Sequence, residues 1–152
     1  MRVTLYIGEH TKDSLTARLG WWVTRLVQKG RFANVTHVEA ILKEHDDGSV
    51  TIGSASLRDG GVRMKRVHLN PSHWEIVNVP QWNADDALLW FISHDGEPYD
   101  WRGAFASCMP FQWREPNEWF CNEAVAASIG FDSPEVFGPS QFAAICYTLS
   151  NQ

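Results

Sequence analysis

The sequence predicts an α+β domain in which a mostly antiparallel sheet packs against helices, and three observations lead there. The hydrophobic pattern runs from one segment of helical period through a block of strand-like runs to further segments of helical period. An Asp-Gly pair joins two of the strand-like runs, which makes them antiparallel neighbours. No repeat, low-complexity stretch or linker divides the chain, and 152 residues with 44% hydrophobic content suit one domain over residues 1–152.

The elements follow in order. The opening "RVTLYIG" alternates as a strand does and ends at Gly8. "TKDSLTARLGWWVTRLVQKG" then puts Leu15, Leu19, Trp22 and Leu26 on one helical face, with Asp13 or Ser14 to cap the start and Gly30 to stop it. "VTHVEAILKEHDDGSVTIGSAS" is the hairpin, with His37 on its first strand. After the turn Arg58–Gly61, whose paired glycines can take positive φ, come "VRMKRVHL" and "WEIVNVP", separated by "NPSH". They bring the block to about four strands. "NADDALLWFISHDG" is a helix bracketed by an Asn83 N-cap, acids in its first turn and Gly96 at its end. "GEPYDWRGAF" is a turn that leaves room for a short helix, "CNEAVAAS" is strongly helical, and Pro134 and Pro139 stand near the starts of two last short elements.

Composition removes several classes of function. The formal net charge is −5, with acids and bases interleaved and no basic run, which argues against nucleic acid or an anionic membrane as partner. No apolar run approaches spanning length, and "MRVTLYIGEHTKDS" lacks the features of a secretory signal, so a cytoplasmic location is expected. Three cysteines, Cys108, Cys121 and Cys146, cannot all pair within one chain, and no C-x-x-C is present. Neither a disulfide framework, a metal site nor a cofactor is expected. Of eight tryptophans, Trp74, Trp82, Trp90, Trp101, Trp113 and Trp119 fall from residue 74 onward, where they either fill a core or wall a pocket.

The chemistry turns on Cys121. A thiol at the first turn of a helix sits among outward-pointing N–H groups, which favour thiolate and can hold an oxyanion. A buried free cysteine is also a common packing residue, so spacing alone leaves both roles open. Cys108 in "FASCMPF" and Cys146 inside "FAAICY" read as core. A thiol needs a base. His10, His45, His68, His73 and His94 stand near turns or charges, whereas His37 lies in a strand between Val35 and Val38 with Glu39 two residues on, on the same face. Glu39 is one candidate to orient the ring; Ser54 and Ser56 on the adjacent strand compete with it. A hydrogen-bonded core histidine is the alternative for His37.

The series "THVEAIL", "GSASLRDGGVR", "GEPYDWRGAF" and "WFCNEAVAASIG" resembles the permuted branch of the papain-like, NlpC-type cysteine peptidases and amidases, in particular the YiiX-like group and small members of it carried by tailed bacteriophages. In that branch the histidine strand precedes the cysteine helix, and here His37 precedes Cys121. The likeness extends over most of the chain. It implies a permuted papain-like fold, Cys121 as nucleophile, His37 as general base, and Tyr99 of "PYDW" as an aromatic beside the site. Glu39 is the first choice for the third catalytic member and Ser54 the second; Tyr99, Ser54 and Trp119 are expected on the substrate side. One departure is Asn122, where the family usually carries serine after the cysteine.

The resemblance implies a hydrolase that cleaves peptide or isopeptide amides, of bacterial cell-wall peptides for instance, through a thioester. Permuted relatives also include lipid acyl-transfer enzymes, so a thioesterase or acyltransferase is the second expectation, and a binding or virion-structural module without turnover the third. A phage product would reach the wall through a holin, by lysis or inside a virion, or act on a cytoplasmic host target.

Overall fold

Five strands form one antiparallel sheet in the computed structural model, which describes residues 1–7, 32–107 and 115–152. They are β1 (Arg2–Tyr6), β2 (His37–Glu44), β3 (Val50–Ser56), β4 (Gly61–Val67) and β5 (Trp74–Asn78). Among the described residues the helices are α1 (Ala84–Ser93), α2 (Trp101–Ala106), α3 (Cys121–Ser128) and α4 (Pro139–Ser150), with a 3-10 turn at Pro134–Val136. The α+β class with an antiparallel sheet is therefore as the sequence predicts. The helix expected between residues 11 and 30, with His10, Cys108 and Trp113, lies outside the described residues.

Local signals act where they were read. Asn83 caps α1 by accepting from the Asp85 N–H at 2.9 Å. The Asp46–Gly48 turn closes the β2–β3 hairpin, with Gly48 at φ 78°. Pro139 stands at the first position of α4, where its missing N–H costs nothing.

Strand order is less local. The sheet runs β4-β3-β2-β1-β5, so β1 is inserted between β2 and β5, and the sequence neighbours β4 and β5 end on opposite edges. One face of the sheet presents Val3, Leu5, Val38, Ala40, Ala55, Val62 and Val77, which join Ala87 and Phe91 of α1, Ala124 and Val125 of α3, and Phe142 of α4 in one apolar core. Alternation sends the intervening side chains to the other face. There Thr4 pairs in register with Glu39 and Ser54 with Arg63, a polar row across four strands, and Thr4, Glu39 and Ser54 are all buried.

The segment before α2 ties the sheet to the cysteine helix. Val62 donates to Glu97 O at 2.8 Å and Tyr99 to Gly60 O at 3.1 Å, so residues 97–99 lie beside the start of β4. On their other side Trp119 donates to Pro98 O and Asp100 to Trp119 O, both at 3.0 Å. Gly61 is required at this crossing, because a Cβ there would collide with the Glu97 carbonyl oxygen.

Candidate active site

Cys121 is the first residue of α3, after Phe120 in extended conformation. The Glu123 carboxylate accepts from the Phe120 N–H at 3.3 Å, satisfying one donor at the helix head. Asn122, fully buried, donates from Nδ2 to the Phe137 carbonyl beyond the 3-10 turn, and its Oδ1 receives the Cys121 Sγ at 3.7 Å. The helix head is thus fixed to the segment that follows it, and the sulfur has a defined direction. Asn122 is a residue that reading the sequence by motif marked only as a departure.

His37 opens β2, and its Nε2 lies 3.1 Å from Glu39 Oε1. Burial alone would depress the imidazole's pKa. Cys121, by charge and hydrogen bond, and then Glu39, by hydrogen bond and charge, together outweigh burial, so that the value is pushed up to about 9. The structure therefore brings Cys121, His37 and Glu39 together. The side chain of His37 keeps 23% of its surface exposed while Cys121 keeps 4%, which leaves the site reachable from the ring side.

Glu39 is held on two sides. Arg63 of β4 donates from Nη2 to the same oxygen, Oε1, at 2.5 Å. Burial would raise the Glu39 carboxyl, but His37, by hydrogen bond and charge, and Arg63 after it hold it below the ordinary carboxylate range. Arg63 Nε meets Asp59 Oδ2 at 3.0 Å, and Lys65 pairs with the other Asp59 oxygen. Burial works against the Asp59 charge too, yet Lys65 and Arg63 bring its carboxyl down to about 2. Arg63 and Asp59 went unread in the sequence. The signal available was the period-2 pair Arg63 and Lys65 after a turn containing Asp59, but its meaning needs the register across β3.

The remaining expected residues are placed as follows. Ser54 Oγ donates to Val38 O at 2.7 Å, whereas Glu39, of the three candidates for orienting the ring, is bonded to it. Tyr99 bridges to Trp119 in parallel, two residues before Cys121, and is half-buried. Trp119 is buried edge-on to Trp90 at 4.9 Å, with its indole N–H on the Glu97 carboxylate, and so packs in the core. Among the tryptophans considered for pocket walls, Trp74 has its ring 6.3 Å from that of His37. His68 and His73 are exposed, whereas His45 bonds Thr51 and His94 stacks on Trp90 at 4.0 Å. Cys146 is in the core, and burial pushes its thiol up to about 12.

A cavity of about 420 Å³ lined by Met1, Arg2, Ile41, Lys43, Glu44 and Asn78 opens at the far end of β2 from His37. It is separate from the cysteine. Among the described residues no group of three His, Cys, Asp or Glu side chains converges as metal ligands would, and no helix is long and apolar enough to cross a membrane.

The chain matches no protein-family model, no curated protein and no solved structure.

Proposed function

We propose that the protein is a cysteine hydrolase of the permuted papain-like, NlpC-type kind, acting on peptide or isopeptide amides such as those of bacterial cell-wall peptides. The observation that carries the reading is the pairing of Cys121, at a helix head, with the His37 imidazole, itself backed by Glu39. The order of the two residues in the chain and the motifs around them support it as well.

The reaction follows from the groups present. With Nε2 committed to Glu39, Nδ1 is the ring nitrogen left to exchange a proton with Cys121. His37 takes the thiol proton, and the sulfur attacks the carbonyl carbon. The negative charge moves to the carbonyl oxygen, where the N–H groups of the first turn of α3, which have no acceptor within the helix, stabilise it. The imidazolium hands its proton to the departing amine as the C–N bond breaks, leaving a thioester. His37 then deprotonates a water, which adds to the thioester carbonyl and releases a carboxylic acid and the Cys121 thiol. Glu39 stays ionised and holds the ring in the tautomer that this exchange needs.

The test is alkylation with iodoacetamide near neutral pH, followed by mass mapping of the modified cysteines. The expected result is preferential labelling of Cys121 that His37→Ala abolishes or slows. Equal, sluggish labelling of every thiol would remove the hydrolase reading. A panel of muropeptides against acyl esters then separates amide cleavage from acyl transfer to or from lipids.

A further inference from the structure

Resting on the reading of Cys121 and His37 as a catalytic pair, we propose that Arg63 is a positioning residue: its guanidinium, clamped between Glu39 and Asp59, fixes the Glu39 carboxylate on His37 and sets how tightly the site holds its protons.

The geometry makes Arg63 able to do this. Glu39 is on β2 and Arg63 on β4, two strand spacings away, a distance of about 9.5 Å that needs a long side chain. The guanidinium must pass over β3 at Ser54, its register partner, and Ser54 is small and turns its hydroxyl to the Val38 carbonyl. Asp59, in the turn before β4, holds the guanidinium from its Nε side, so the fork has one orientation.

The sharing of one oxygen gives Arg63 a function beyond packing. Glu39 Oε1 takes both His37 and Arg63, and Oε2 is buried with no hydrogen-bond partner among the described residues. The carboxylate cannot rotate away from the imidazole without also breaking its bond to Arg63. When His37 is neutral during the cycle, Glu39 would be an unaccompanied buried anion, a state that burial disfavours strongly. Arg63 keeps it charged in both protonation states of the ring.

Among the described residues the groups that bear on His37 are few. Cys121 faces it from α3, Glu39 from its own strand, and Trp74 from β5. Tyr6 is its register partner on β1, with the His73 ring behind it at 6.1 Å. Arg63 and then Asp59 and Lys65 lie beyond Glu39. Removing the Arg63 positive charge makes every proton in this cluster harder to lose, so the sign of the effect is definite.

The experiment measures the rate of Cys121 alkylation by iodoacetamide as a function of pH on the full chain, with thermal melting alongside. Arg63→Gln is expected to move the rise of the rate to higher pH by about one unit, and Arg63→Lys, which keeps the charge but not the fork, to move it by less. A purely structural arginine would instead lower the melting temperature and change labelling equally at every pH. A profile that Arg63→Gln leaves unmoved, or that Arg63→Lys moves as far, overturns the proposal. If Arg63→Gln does not fold, Asp59→Asn decides: removing that negative charge must shift the rise to lower pH by a few tenths of a unit, and an unmoved or upward shift overturns the role of Arg63. Labelling of the unaltered chain that is no faster than a free thiol and indifferent to His37→Ala overturns the catalytic pair, and this proposal with it. A normal, His37-dependent profile indifferent to Arg63 overturns the arginine alone.

Discussion

Cys121 and Cys146 are both buried free thiols on helices, yet their surroundings differ in kind. Cys146 lies inside α4 beside the apolar residues of the core, and burial holds it as a neutral thiol with a pKa near 12. Cys121 begins α3, with the Asn122 carboxamide on one side and an imidazole backed by a carboxylate and a guanidinium beyond it. Burial by itself therefore does not say what a cysteine is for. The polar chain that reaches it does, and here that chain crosses from β2 to β4 on the sheet face opposite the main core.

The largest expected break in this contrast is His37→Ala, which should slow Cys121 alkylation at neutral pH by roughly 100-fold or more while the slow labelling of Cys146 stays as it was. A rate within a few-fold of the original would make Cys121 a second Cys146. Next in size is Glu39→Gln. A hydrogen bond to a charged group is worth about 1.5–3 kcal/mol, so turnover should fall roughly ten- to hundredfold, and an undiminished rate would assign the ring's orientation to something else.

The pH behaviour sharpens the comparison further. His37 titrates near 6.5 when unperturbed and near 9 in the fold, so a proton held more tightly in the native state stabilises it. That contribution is complete below about pH 6.5 and fades as the pH climbs through about 9. The imidazolium is also the acid that protonates the leaving amine, so amide cleavage should fall over the same alkaline range. A ring titration followed by NMR checks both, and Cys121→Ser should lower its midpoint; a midpoint already at or below 6.5 in the unaltered chain would remove the pairing with Cys121. The smallest effect is that of Cys146→Ala, which should cost about 1 kcal/mol of stability in urea unfolding and leave Cys121 labelling unchanged.

Much of this was legible in the amino-acid order, and the exceptions have a common cause. The hairpin and α1 were readable because Asp47-Gly48 and Asn83 act on their own neighbours. Cys121 at a helix head and Glu39 on the face of His37 were readable because both depend on periodicity within one element. The insertion of β1 between β2 and β5 was not, because partner choice among strands is made by packing between distant segments. Arg63 was hidden for the same reason: its contact with Glu39 exists only once two strand registers are set. Trp119, expected on the substrate side, shows something the sequence could not: its ring packs edge-on to Trp90 within the core cluster.

The close approach at Gly61 has a mechanical consequence. The backbone there presses against Glu97, the stretch that follows runs on to Tyr99, and Tyr99 lies alongside the segment that delivers Cys121. These contacts form a lever whose fulcrum is a missing side chain. A single added methyl at residue 61 would prise the lever from the sheet edge, and the far arm that would swing carries the sulfur.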